Sequence, residues 1–526
     1  MEAQTVNLSG LSPGQVTKIP INKPDGDLPQ DEGSVEYLEL IPLGAGCEVG
    51  RSCLYLECKG RKILLDCGLH PAREGIQALP YFDMIHPGEL DLLLLTHFHV
   101  DHCAGLPYFV EKTGFRGKVF MTHPTKSIYN YIAKDFVKVS NIATEEQIFD
   151  ENDVVNSLEK IQMIDYHQDC EERGVKFTAY RAGHVLGAAM FLIEIDGIKI
   201  LYTGDYSREE DRHLKPAEIP MHCEVDVLIV ESTYGVEKHE NRDQREAKFK
   251  KFVHDVVRRG GKCLMPCFAL GRAQELLLIL NEYWRENPEL KSVPIVYSGS
   301  LAQRSLEVFK THRNMMSDKI RVDLEQGLNP FKFEQRDQDE IENEPGPLVV
   351  MAGPGMLQSG LSRDLFLKWA PERKNGIIFT GYSVEGTLAK QVMNSNKIIT
   401  LNDQTILCEM TVDTISFSAH ADFLHTRDYI NKVLPPNIIL VHGDSQQMKK
   451  LKGELSSKYH DKIQILTPRN CQMVKLKLVS KKNAKILGRL AKEVISEQAR
   501  LRDELLRNSY AQIPQLPMAG GDVHME

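Results

Sequence analysis

The sequence predicts an α/β protein in which one domain of short strands is interrupted by a second, parallel α/β domain. Three observations carry that prediction. Short apolar runs bounded by Gly, Pro or Asp follow one another from Val35 to Glu231, which is the mark of β-strands. Over 236–410 the pattern changes to strand, glycine loop and helix in repetition, which is the mark of a parallel sheet with helical crossovers. Strand-and-loop character of the first kind then returns over 411–475, and the simplest account is one domain with another inserted into it.

The elements justify this in order. Residues 1–34 are polar, carry Pro13, Pro20, Pro24 and Pro29, and are expected to form a flexible leader. Strands of the first domain, 35–235, are expected at Tyr37–Ile41, Ser52–Glu57, Lys62–Asp66, Leu92–Thr96, Val119–Met121, Lys176–Tyr180, Ala189–Ile195, Ile198–Tyr202 and Val227–Glu231. In the insert, four apolar strands are expected at Lys262–Pro266, Pro294–Ser298, Leu348–Met351 and Gly376–Thr380. Gly271-Arg272-Ala273-Gln274-Glu275 opens a helix through Trp284, and Gly353–Met356 and Gly381–Thr387 are further glycine loops. The active edge of such a sheet lies at the C-terminal ends of its strands. The first domain resumes with strands at Thr414–Ser418 and Asn437–Val441. The tail, 476–526, has helical spacing of apolar residues at Leu487, Leu490, Ile495, Leu501 and Leu505, so a helix is expected over Ala484–Leu506, followed by an unstructured end from Pro514.

Composition excludes several classes. The chain has 526 residues, of which 42% are hydrophobic and 26% charged, ordinary for a globular protein and unlike a disordered chain, coiled coil or collagen. The longest apolar runs, Leu92–Leu95 and Leu276–Leu280, are too short to cross a bilayer. Met1-Glu2-Ala3-Gln4 lacks the basic stretch and apolar core of a secretory signal, so an intracellular chain is expected. The formal net charge of -9 announces no nucleic-acid partner, although a local basic groove is enough for one. The 11 cysteines are odd in number and scattered, so buried thiols in a reducing compartment are expected rather than disulfides.

The strongest chemical signal is Thr96-His97-Phe98-His99-Val100-Asp101-His102, directly after the strand Leu92–Leu95. On a tight loop His97 and His99 project to one side and can hold one metal. Asp101 and His102, on the next turn, can hold a second. Imidazole and carboxylate suit zinc and also serve manganese or iron. His184, Asp205 and His442 each follow a predicted strand. Singly, such residues are caps or turn residues; with the histidine cluster, their common position makes a shared site. Asp66, at the end of Ile63-Leu64-Leu65-Asp66, either orients a ligand histidine or turns the chain.

These residues carry a resemblance. The cluster at 97–102, with Asp66, His184 and Asp205 in this order, resembles the metallo-β-lactamase superfamily, and the insert and later histidines resemble its β-CASP nuclease branch. Pro42-Leu43-Gly44-Ala45-Gly46, Val49-Gly50-Arg51-Ser52-Cys53, Gly204–Leu214, Phe268–Glu275 and Ser416-Phe417-Ser418-Ala419-His420 are similar to the endonucleases of pre-mRNA 3′-end processing. The resemblance runs from about residue 36 to about residue 488. It implies an αββα sandwich with an inserted parallel α/β (β-CASP) domain. It also implies two zinc ions, one on His97, His99 and His184, the other on Asp101, His102 and His442, with Asp205 bridging. His420 is implied as general acid and Glu231 as its orienting partner. The implied substrate is single-stranded pre-mRNA. The implied partners are other subunits of the cleavage and polyadenylation complex, including a sister subunit that has lost metal ligands, and the implied compartment is the nucleus.

The chemistry needs such a site. A phosphodiester is anionic and its leaving alkoxide is poor, and two divalent metals answer both problems. Zinc lowers the pKa of bound water to ~7, so hydroxide can attack in line, and an imidazole is an efficient proton donor to the leaving oxygen. Amides at Gly271–Gln274 and Gly381–Thr387, with Arg272, are expected to contact phosphate, unless those glycines serve only tight turns. Two other enzymes remain in view: an integrator-type snRNA endonuclease, and a small-molecule metallo-hydrolase acting on a thioester or lactam. A metal-bearing scaffold without turnover is a further reading. The insert with Arg272, together with His420, favours RNA.

Overall fold

The computed structural model describes residues 4–7, 35–143, 147–220, 223–267, 271–298, 300–331, 336–381, 383, 386–394, 397–401, 404–417, 419–479, 483–486 and 500. Two seven-stranded sheets form its first body. One runs in the order Val474–Val479, Val35–Gly44, Cys53–Cys58, Arg61–Leu65, Leu92–Leu94, Lys118–Thr122, Ile161–Ile164. Its first four strands pair antiparallel and the rest parallel. The other runs Gln464–Leu466, Asn437–Val441, Val227–Glu231, Ile198–Tyr202, Ala189–Ile195, Val175–Arg181, Asp169–Glu172.

Strand Leu92–Leu94 explains why the sheets stack. Leu92 and Leu94 enter a core shared with Leu54, Phe191 and Ile200 of both sheets, while Leu93 and Leu95 enter the core under the helices. An all-leucine strand has no face it can give to water, so both faces are covered. Helices Leu106–Lys112 and His123–Ala143 cover the outside of the first sheet, and Phe423–Val433 and Ser445–Tyr459 that of the second. The result is a helix–sheet–sheet–helix stack.

A five-stranded, wholly parallel sheet forms the second body, in the order Ile295–Ser298, Leu348–Ala352, Lys262–Pro266, Gly376–Phe379, Thr411–Thr414. Helices Arg242–Arg258 and Arg272–Glu286 pack on one face, Gly360–Trp369 and Leu388–Asn394 on the other. The fifth strand corrects an expectation of a strand at 414–418. Thr411–Thr414 is an edge strand with mostly exposed side chains, so it carries no apolar run to announce it. The two bodies are joined by ion pairs between the loop after Asp205 and the insert's helices. Arg212 meets Glu246 at 2.7 Å, Glu275 at 3.0 Å and Glu282 at 2.8 Å, and His213 meets Glu275 at 3.0 Å.

The ends depart from expectation in two places. Val474–Val479 extends the first sheet beyond residue 475, where a tail was expected, with Val474, Leu476 and Leu478 buried and Lys475 and Lys477 exposed. That alternation is a half-buried strand. Gln4–Asn7 pairs antiparallel with Asn483–Ile486, where an unpaired leader and a helix from Ala484 are the expectation. Each segment satisfies its backbone groups in the other. The remainder of the leader and of the expected helix lies outside the described residues, apart from Arg500.

Candidate functional site

Leu94 is the last residue of a central parallel strand, and the chain turns there into Thr96–Asp101. Asp66 occupies the equivalent turn after Arg61–Leu65 in a left-handed conformation, φ 59°. Its carboxylate accepts from the Thr96 amide at 2.7 Å, the Thr96 hydroxyl at 2.9 Å and the Tyr202 hydroxyl at 2.7 Å. It also accepts from His102 Nδ1 at 2.9 Å. Asp66 therefore both turns the chain and orients a histidine. His99 caps a short helix, Val100–Cys103, which carries Asp101 and His102. Gly204 lets the Asp205 turn approach this loop: an added Cβ would lie 2.6 Å from the Thr96 side chain, and its φ is 51°.

The seven strand-end residues meet. His97 Nε2 and His184 Nε2 lie 3.1 and 3.0 Å from His99 Nδ1. Asp205 Oδ2 lies 3.7 Å from His97, 3.8 Å from His184 and 3.2 Å from His102 Nε2. His442 places Nε2 3.3 Å from Asp101 Oδ2 and Nδ1 3.3 Å from Asp205 Oδ1. His97, His102, His184, Asp205 and His442 are all buried. Ligand atoms of His97, His99, His184 and Asp205 fall within 4.8 Å of one another, as do those of Asp101, His102 and His442.

Hydrogen bonds to the outward nitrogens fix the tautomers. The Thr96 hydroxyl donates to Asp66, so it accepts from His97 Nδ1 at 3.0 Å. His184 Nδ1 donates to the Ala419 carbonyl at 2.8 Å. The Thr233 hydroxyl donates to Glu231 at 2.6 Å and so accepts from His442 Nδ1 at 3.1 Å. With His102 Nδ1 donating to Asp66, four imidazoles turn Nε2 inward, unprotonated in the metal-binding form. Those lone pairs face one another and two carboxylates, with the Ser52 hydroxyl, 3.2 Å from His102, as a donor within reach. Asp205 Oδ1 is buried with no hydrogen-bond partner among the described residues. Converging lone pairs and anionic oxygens repel unless cations lie among them, so the donor set fits divalent metal.

The two groups differ in their electrostatics. Burial first, then neighbouring histidines, holds His97 and His184 well below the ordinary imidazole range. Burial pushes His99 down to about 4. Neutral imidazoles are the metal-binding form. In the second group burial works against charge, but the Asp205, Asp101 and Asp66 carboxylates raise His102 well above the ordinary imidazole range. His102 in turn holds Asp101 well below the usual carboxylate range. Metal binding at this group therefore releases the His102 proton.

The site opens into a cleft between the two bodies. Pro266, Thr380, Gly381 and Ser383 line it from the C-terminal edge of the parallel sheet, opposite His99, Asp205 and His420. His420 Nδ1 lies 2.9 Å from Glu231 Oε1 and 3.9 Å from Asp205. Arg272 also lines the cleft, where both terminal nitrogens of its guanidinium pair with Asp211 and Nε has no partner among the described residues. Phe268–Leu270 and Ser418 lie outside the described residues. Sequence reasoning assigned no role to Thr96, Tyr202, Thr233 or the Ala419 carbonyl, which also contact Asp66, His442 and His184 from distant parts of the chain. Thr96, next to His97, and Thr233, two residues after Glu231, each had a local signal.

Fold and donors together are those of a metallo-hydrolase carrying an inserted domain. Three family descriptions match in succession: a metallo-beta-lactamase superfamily domain over 55–229, a Beta-Casp domain over 273–392, and a Zn-dependent metallo-hydrolase RNA specificity domain over 405–468. The chain is 53% identical over 460 residues to the cleavage and polyadenylation specificity factor subunit 3 of Dictyostelium discoideum, covering 86% of this chain and 59% of that one. It is 49% identical over 495 residues to the cleavage and polyadenylation specificity factor 73 of Drosophila melanogaster, covering 92% and 72%. It is 48% identical over 475 residues to the endoribonuclease ysh1 of Schizosaccharomyces pombe, covering 89% and 62%. The chain belongs to this family, the β-CASP metallo-hydrolases related to cleavage and polyadenylation specificity factor subunit 3. It spans 59% of the length of the first of these relatives. Among the described residues, no helix is long and apolar enough to cross a membrane.

Proposed function

We propose that the chain is a zinc-dependent RNA endonuclease that cuts pre-mRNA at the 3′ end before polyadenylation. The single observation that carries this is the placement of His420, held by Glu231, at the mouth of a pocket of inward-facing histidine and aspartate donors. In this reading His97, His99 and His184 would hold one zinc ion and Asp101, His102 and His442 another, with Asp205 within reach of both groups. The bound ions supply an acidified water and neutralise non-bridging phosphate oxygens.

The chain's own residues do the rest. Asp66, Thr96, Thr233 and the Ala419 carbonyl keep the imidazoles in the tautomer that presents Nε2 inward. His420 keeps Nδ1–H on Glu231 and offers the Nε2 proton to the leaving ribose oxygen. The donors face a wall supplied by the insert, for which a small-molecule hydrolase has no need. The division into a domain that starts near 35, breaks at 235 and resumes after Thr414 is part of the same proposal. So are nuclear location and assembly with other cleavage and polyadenylation subunits, which the names of the relatives support.

The test is metal analysis of the purified chain, followed by incubation with single-stranded RNA carrying a cleavage site, with and without partner subunits. Two equivalents of zinc and internal cuts leaving a 5′-phosphate on the downstream piece are expected. Zinc-free protein, or loaded protein inert in both settings, would overturn the proposal.

A further inference from the structure

The loop between strands Val35–Gly44 and Cys53–Cys58 has no donor of its own in the metal pocket, yet it touches the whole Asp101–His102–His442 group. The Ser52 amide donates to the Asp101 carbonyl at 2.7 Å, and the His442 amide donates to the Ala45 carbonyl at 2.8 Å. Gly443 donates to the Glu48 carbonyl at 3.2 Å. The Ser52 hydroxyl lies 3.2 Å from His102 Nε2. One short loop thus joins donors that are 341 residues apart in the chain. His97 and His184, by contrast, are held by the Thr96 hydroxyl and the Ala419 carbonyl.

The loop itself is held from outside. Gly46 donates to Asn470 Oδ1 at 2.7 Å, and Asn470 Nδ2 donates to Glu48 Oε1 at 2.7 Å. Arg51 Nε donates to the same Glu48 oxygen at 2.6 Å, and its buried guanidinium also reaches the Leu79 carbonyl at 3.2 Å. Contact is close: a Cβ on Gly46 would lie 2.5 Å from the Asn470 amide nitrogen. Ala45, Cys47 and Arg51 have φ of 59°, 58° and 42°, a conformation that side chains other than glycine keep only where the surroundings over-determine it.

We infer that Asn470 is a positioning residue: the bracket Asn470–Glu48–Arg51 sets the loop 45–52, and through it the spacing of Asp101 from His442 and the affinity of the cation those residues share with His102. The inference rests on the two-cation reading above. Residues that act behind metal ligands change affinity by ~10–100-fold. Asn470 touches no ligand directly, so its influence travels through two backbone bonds, Ser52 to Asp101 and His442 to Ala45.

The experiment is calorimetric titration of the metal-stripped full chain with zinc, checked by metal analysis, on wild type, Asn470→Ala and Glu48→Gln. Wild type is expected to take two ions with separable affinities. Asn470→Ala should weaken one site ~10-fold or more and leave the other unchanged, and Glu48→Gln should weaken the same site by less. Equal weakening of both sites, or two unchanged affinities, overturns the inference while leaving the two-cation reading intact. If Asn470→Ala does not fold, Glu48→Gln decides by the same criterion. A wild type that binds fewer than two ions overturns the reading and the inference together.

Discussion

His420 Nδ1 rests 2.9 Å from Glu231 Oε1, although 189 residues separate them. Glu231 ends a strand that pairs in parallel with Asn437–Val441, and His420 enters from the segment that returns from the insert. Burial disfavours the imidazolium, but the Glu231 carboxylate, and after it Asp205, overcomes this and raises His420 to about 9. A histidine so held keeps its proton through neutral pH, as a proton donor must.

Replacing His420 by Ala is expected to lower the cleavage rate ~10²–10⁴-fold while zinc content stays at the wild-type value. Rate measurements on metal-quantified protein check this. Loss of metal together with activity would show that His420 acts on the cations rather than on the leaving group.

Glu231→Gln removes the largest influence that raises His420. The imidazolium is then lost at lower pH, so the alkaline limb of the pH–rate profile should move down relative to wild type. A limb at the same pH in both proteins would detach Glu231 from that proton.

Asp205 approaches both donor groups. Asp205→Asn is expected to weaken both zinc sites, whereas His184→Ala should weaken one. Because the donors converge only in the folded chain, stripping metal should also lower the melting temperature. A site saturated at ~100 times its dissociation constant adds ~2.7 kcal/mol. Calorimetric melts with and without chelator measure this, and an unchanged melting temperature would contradict it.

Glu275 is buried at the junction of the two bodies. Burial works to raise its carboxyl, but His213, with Arg272 and Arg242, holds it down at about 2. A depressed carboxyl contributes stability above its unfolded pKa and loses it as pH falls toward the folded value. Wild type should therefore lose more stability than Glu275→Gln as pH falls from the ordinary glutamate range toward about 2. Urea unfolding of both across that window checks it, and parallel curves would count against it.

Leu93 is fully buried between the first sheet and its helices. Leu93→Ala should cost ~2–5 kcal/mol, read as a lower denaturation midpoint at unchanged slope. A cost under ~1 kcal/mol would mean the site collapses around the smaller side chain.

Much of the fold was legible because burial leaves local marks. Ala189–Ile195, Ile198–Tyr202, Val227–Glu231 and Asn437–Val441 have the bounds that their apolar runs predict. Thr411–Thr414 was illegible because an exposed edge strand needs no apolar residues. Val474–Val479 carries a local mark, an alternation of valine or leucine with lysine, in a stretch whose basic charge suggests a tail. The pairing of Arg272 with Asp211 has no local sign, since 61 residues separate them.

By itself, then, the amino-acid order determined which histidines and aspartates stand at the ends of strands, since strand ends are announced by short-range pattern. Only the tertiary structure decided that His442 meets Asp101, that Glu231 takes His420, that Asp211 pairs with Arg272 and that Asn470 braces the loop beneath. Those choices depend on how sheets stack and on which polar groups are left together in a water-poor interior, and residues far apart in the chain leave no local sign of either.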